Sequence, residues 1–139
     1  MRESNMLTFE IADEVRELIK IYSFFDHEVG GILFGKEDGG FTKIQALSFK
    51  HGEKYRIDFT DKDNRMFSSP KGMIILGTWH THPFQKEPFA SSIDISQWKK
   101  WNNDYIHMVV GEKYNKIYKV KKLFPTSKKI EEVYFEKRI

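Results

Sequence analysis

The sequence predicts an α+β fold: a mixed, largely antiparallel sheet flanked by an N-terminal helix and by a second helix that follows a histidine motif. Three observations carry that expectation. Ile11, Val15, Leu18, Ile19 and Tyr22 recur at helical spacing, which gives a helix over residues 9–24 one apolar face. From Gly31 onward, short apolar or alternating runs are separated by Gly, Asp and Pro, the punctuation of strands and turns. A second helical period, Ile95, Trp98 and Trp101 or Asn102, follows Ser91-Ser92-Ile93-Asp94.

In chain order, the N-terminal helix leads to strands at Gly31–Gly35 and Phe41–Phe49, with Lys36-Glu37-Asp38-Gly39-Gly40 as their hairpin turn. Tyr55–Thr60 alternates as a strand does, and Asp61–Phe67 fits a short helix before Pro70. Met73–His80 reads as the central strand, because Met73-Ile74-Ile75-Leu76 is apolar on both faces. After the Asp94 helix come strands at Tyr105–Val110 and Tyr114–Phe124, while Ile130–Phe135 is compatible with either period. The chain has 139 residues with no repeat, low-complexity tract or linker, so a single domain over residues 1–139 is expected.

The richest stretch chemically is Gly77-Thr78-Trp79-His80-Thr81-His82-Pro83. If the strand continues, His80 and His82 point to one face and Trp79 points into the core behind them. Two imidazoles and one carboxylate leave a fourth position open on zinc, the ligand pattern of a hydrolytic centre. Asp94 is the nearest acid that can swing back, with Glu87 as its competitor. Ser91-x-x-Asp94 is also a capping box, a role compatible with ligation. Upstream, Asp26-His27-Glu28 runs into Gly30-Gly31 and a short apolar strand. The missing side chains of Gly30 and Gly31 let the backbone or a substrate tail approach closely. His107 reads as a core-edge residue and His51 as a solvated turn residue, while His27 should face away from Glu28 if the chain is extended there.

Composition removes several chemistries. There is no cysteine, hence no disulfide framework, thiolate metal site or cysteine nucleophile. The start of the chain lacks the apolar core of a signal peptide, and no run approaches the roughly twenty apolar residues that span a bilayer, so a cytoplasmic protein without a membrane partner is expected. Net charge is +3, with Lys116, Lys119, Lys121, Lys122, Lys128 and Lys129 near the end. Their alternation with apolar residues reads as a solvated strand face, and nucleic acid is not an expected partner.

Glu28, His80, His82, Ser91 and Asp94, in that order and with Gly30-Gly31-Ile32-Leu33-Phe34-Gly35 and Pro83 as context, resemble the motif of the JAB/MPN (JAMM) zinc metalloproteases, in particular their small prokaryotic members. One departure is a spacing of eight residues between His82 and Ser91, one more than the family pattern, which a bulge would absorb. The resemblance implies a curved JAB/MPN sheet and one Zn²⁺ per chain held by His80, His82 and Asp94. It also implies a zinc-activated water as nucleophile, Glu28 as general base and Ser91 as donor to the oxyanion. The reaction implied is cleavage after the C-terminal glycine of a ubiquitin-like modifier, by deconjugation or precursor processing. The partners implied are that modifier or its conjugates and operon-encoded conjugation enzymes, as in bacterial antiphage systems. The tail is expected to lie as an added strand beside the Phe84–Phe89 loop or a neighbouring strand edge, with Phe84, Gly30 and Gly31 as substrate-binding residues. Alternatives within the resemblance are a non-catalytic MPN-like scaffold and a processing protease for a sulfur-carrier protein. An amidohydrolase barrel requires about 250 residues, and the chain has no His-x-His-x-Asp-His run of the metallo-β-lactamase kind.

Overall fold

The apolar period at the start of the chain divides into two elements. In a computed structural model, which describes residues 7–53, 57, 67–101, 104–123 and 127–138, β1 (Thr8–Ile11) precedes α1 (Asp13–Tyr22). The helix expected from residue 9 therefore starts four residues later. Phe9 and Ile11 suit a strand as well as a helix, and pairing decides: β1 runs parallel to β3 (Phe41–Leu47), and Ala12 N–H donates to the Ile44 carbonyl at 2.9 Å. Asp13 and Glu14 then occupy the first helical turn, where the helix dipole favours acids.

The remaining elements are β2 (Val29–Asp38), β4 (Lys50–His51), β5 (Ile74–Thr81), α2 (Ser92–Trp98), β6 (Ile106–Val110), β7 (Tyr114–Lys122) and β8 (Lys128–Lys137). They form one sheet in the order β1-β3-β2-β5-β6-β7-β8, with β4 beside β2. The sheet is mixed: β1/β3 and β5/β6 pair in parallel, the other pairs antiparallel. The β2–β3 turn is tighter than expected, because β2 continues through Asp38 and only Gly39 and Gly40 turn, both with positive φ. The segment around Ile130–Phe135 is a strand, fixed by its long pairing with β7. The expected strand at Tyr55–Thr60 and helix at Asp61–Phe67 lie outside the described residues, apart from Ile57 and Phe67. Among the described residues no helix is long and apolar enough to cross a membrane.

Strand alternation sorts the interior into two sides. Val15 and Ile19 of α1 pack with Leu33, Ile44, Trp79, Met108 and Ile117, and Tyr22 stacks on Trp79 at 5.3 Å. A wholly buried aliphatic such as Ile19 or Leu33 contributes about 1.5–3 kcal/mol. The two edge strands approach each other, with Phe9 of β1 against Tyr134 of β8 at 5.4 Å and Arg16 ion-paired to Glu136. On the opposite side Trp98 of α2 packs with Val109, Tyr118 and Val120. β5 lies between the two clusters.

Candidate metal centre

Along β5, Trp79 turns into the α1 side, where it is fully buried and its ring N–H donates to the Ser48 carbonyl at 2.8 Å. His80 therefore faces α2. His82 lies just past β5, but its N–H donates to the Val110 carbonyl at 2.9 Å, which prolongs the parallel ladder and keeps the side chain in phase with His80. Both rings are buried, with their Nε2 atoms 3.0 Å apart.

The third donor comes from α2. Ser91 is the helix N-cap: Asp94 N–H donates to Ser91 Oγ at 3.1 Å, and Ser91 N–H donates to Asp94 Oδ2 at 2.9 Å. This capping box aims the Asp94 carboxylate back at the sheet. Oδ1 reaches His80 Nε2 and Oδ2 reaches His82 Nε2, each at 3.1 Å. Capping and convergence on the histidines thus belong to one conformation of Asp94. Burial alone would raise its pKa, but hydrogen bonds to His80, His82 and the Ser91 amide outweigh burial and hold the carboxyl well below the usual carboxylate range. For His82, burial disfavours the imidazolium, yet the Asp94 hydrogen bond and charge, with the charge of Glu28, raise its pKa.

Register brings Glu28 to the same place. Gly30 of β2 pairs with His80, so Glu28, two residues earlier, lies level with His82; its side chain is buried at 8% exposure. A Cβ on Gly30 would sit 2.9 Å from His80 Cβ and 2.4 Å from the Trp79 carbonyl, and one on Gly31 2.1 Å from the Ser48 carbonyl. Both glycines are therefore required by the close approach of strands.

Glu28, His80, His82, Ser91 and Asp94 line one cleft of about 240 Å³, together with Gln85, Trp98 and Trp101. Gly30, Gly31 and Phe84 do not line it. The glycines are buried against β5 and the Ser48 carbonyl, and Phe84 is 67% exposed on the His82–Ser91 loop at a φ of 68°, an uncommon value for a bulky residue. Glu87, the competing acid, turns away and binds Lys116 Nζ at 2.9 Å.

Two contributors were not evident from spacing. Gln85 Oε1 lies 3.3 Å from His82 Nδ1, an outer contact of the kind that orients a ligating imidazole. His107 of β6, read as a core-edge residue, is wholly buried beside the site. Its Nδ1 is 2.8 Å from Thr78 Oγ1, and its ring stacks on Trp98 at 5.0 Å.

The donor set fits a metal. Ligand atoms of His80, His82 and Asp94 lie within 4.8 Å of one another, turned inward, in a pocket open on one side. Two imidazoles and a carboxylate with a free position suit Zn²⁺.

Residues 13–124 match the family described as prokaryotic homologs of the JAB domain. A relative from Escherichia coli (strain TW11681), named CD-NTase/cGAS isopeptidase, is 32% identical over 99 residues, 62% of this chain and 63% of the relative. The match thus spans less than two thirds of that relative's length. The solution structure of protein DSY2949 from Desulfitobacterium hafniense shares the fold, with a TM-score of 0.60 at 16% identity over 90% of this chain and 89% of that one. The matched segment carries β2, β5 and α2 and with them every residue of the cleft named above, and the chain belongs to the family of prokaryotic JAB homologs.

Proposed function

We propose that this protein is a zinc-dependent isopeptidase or peptidase that cuts after the C-terminal glycine of a ubiquitin-like modifier, removing it from a conjugate or trimming its precursor. The observation that carries the reading is the convergence of His80, His82 and Asp94 at the base of a cleft that Glu28 and Ser91 also line. The isopeptidase name of the Escherichia coli relative supports it.

His80, His82 and Asp94 would hold the ion, which supplies Lewis acidity and lowers the pKa of water in the site to about 7. The chain's own groups account for the proton movements. Glu28, a buried carboxylate facing the histidines, takes a proton from the attacking water as its oxygen bonds to the amide carbon. The same proton passes to the amine nitrogen as the C–N bond breaks, so one water yields one acid and one amine. Ser91 Oγ already accepts from the Asp94 amide, which leaves its own proton to donate to the carbonyl oxygen as charge develops there. On this reading the modifier's extended tail, rather than its folded body, enters the cleft of about 240 Å³. The tail lies along the Phe84–Phe89 loop, with exposed Phe84 as a side-chain contact.

Elemental analysis should find about one zinc per chain, lost in the His80→Ala, His82→Ala double variant. On a fluorogenic reporter fused behind a modifier tail, Glu28→Gln should keep zinc and lose at least about a hundredfold in turnover, and Ser91→Ala on the order of a hundredfold. Zinc retained by the double variant would remove the centre, and zinc released by Glu28→Gln would make Glu28 a ligand instead of a base.

A further inference from the structure

Beyond its pairing with β6, the β7–β8 hairpin continues as a two-stranded ribbon. β6 reaches only to Lys119 of β7, while Val120, Lys121 and Lys122 pair with Ile130, Lys129 and Lys128. Two lysine pairs, Lys121 with Lys129 and Lys122 with Lys128, thus stand directly opposite each other, an arrangement that costs stability by like-charge repulsion. Val120 and Ile130 pack on Trp98, so Lys122 and Lys128, one step further on the same face, lie beside the end of α2. Lys128 Nζ donates to the Lys99 carbonyl at 3.1 Å. Lys99 and Lys100 are exposed there, between Trp98 and Trp101 of the cleft. Among the described residues the only ion pair made by these six lysines is Lys121 to Glu131, at 3.9 Å.

We infer that the face of the ribbon bearing Lys122 and Lys128, together with Lys99 and Lys100 at the end of α2, is a docking surface for an acidic face on the folded body of the protein whose tail enters the cleft. This rests on the isopeptidase reading and adds to it the region that recognises the substrate beyond its tail. Charge complementarity gives the sign of the partner, since an anionic face would relieve the opposed lysines. Continuity gives its place: Trp98 and Trp101 line the cleft, and Lys99 and Lys100 adjoin them. A protein is favoured over nucleic acid by the character of the surface. Leu123 at the tip is 39% exposed, and the ribbon's other face, that of Lys121 and Lys129, is interrupted by Glu131. A phosphate track favours unbroken positive charge, often with stacking aromatics.

The test uses one designed helical-bundle carrier in two forms, a glutamate-rich face and the same face changed to glutamine, each fused in front of a modifier tail and a reporter. At low salt the acidic carrier should be cut about tenfold more efficiently, through KM, and the gain should shrink at about 0.3 M salt as screening shortens. Lys122→Glu with Lys128→Glu, on the face beside α2, should abolish the gain, and arginine at both positions should keep it. Anisotropy of labelled acidic carrier, without a tail, against the Glu28→Gln protein reads docking without turnover. Equal cutting of both carriers, or tighter binding of a labelled DNA duplex than of the acidic carrier, would overturn the inference. If neither carrier is cut while the acidic one still binds through the lysines, the docking surface stands and the isopeptidase reading fails.

Discussion

His107 holds no ligand position, yet it is tied to the site through Trp98 and Thr78. Burial, with the charge of His80, pushes its pKa down to about 3. A histidine in the unfolded chain titrates near 6.5. Between those values the unfolded chain binds a proton that the folded chain does not. The stability from neutral His107 is therefore complete above about pH 6.5 and is lost as pH falls toward 3. His82 has the opposite sign: its raised pKa contributes stability below about 6.5 that is lost as pH rises through the folded value. In metal-chelated protein, His107→Phe, which keeps the stack on Trp98, should flatten the loss of melting temperature below pH 6.5 relative to the parent. Parallel slopes would show that the folded protein does not hold His107 neutral below pH 6.5.

Elements were legible to the extent that local pattern governs them. The alternation of β5 put His80 and His82 on one side and Trp79 on the other, because strand phase is a local property. The Ser91–Asp94 box was legible for the same reason. The start of α1 was not, since β1 exists only through pairing with β3, some thirty residues away in the chain, and Phe9 and Ile11 satisfy both periods. His107 and Gln85 were missed because their importance comes from neighbours that sequence spacing does not reveal. The longer His82–Ser91 loop shows tertiary control most clearly. Lys116 of β7, with a side chain 5% exposed, holds Glu87 at 2.9 Å and Glu132 at 3.3 Å and sits 4.1 Å from the centre of the Phe89 ring. Glu112 and Lys113 amides donate to the Gln85 and Lys86 carbonyls at 2.7 and 3.1 Å. Lys116→Met should cost about 1–2 kcal/mol, a moderate loss because the two glutamates it leaves can turn to water. It should also speed hydrogen exchange at the Glu112 and Lys113 amides. Exchange that stays at the parental rate would show that the ion pair does not hold the loop.

At the scale of the molecule, the candidate centre joins the sheet to a short helix that otherwise packs on it chiefly through Trp98. His80 and His82 belong to the sheet and Asp94 to a helix of only seven residues, too short to be stable unaided. A metal bound by all three links α2 to the middle of the sheet, and binding to the folded chain alone converts affinity into stability. At zinc a thousandfold above its dissociation constant the gain is about 4 kcal/mol, which for a domain of this size raises the melting temperature by on the order of 10 °C. Protons compete for the same atoms. Asp94 stays ionised far into acid, so the competition falls on the imidazole side, and the raised pKa of His82 strengthens it. Zinc should therefore raise the melting temperature more at pH 7.5 than at pH 5.5, while the chelated protein, which keeps the protonated His82–Asp94 pair at the lower pH, should depend on pH in the opposite sense through that pair. Calorimetry of the parent and of the His80→Ala, His82→Ala variant, each with zinc and with chelator at both pH values, separates the two contributions. A zinc-induced shift of equal size in the double variant would place the bound metal elsewhere on the chain.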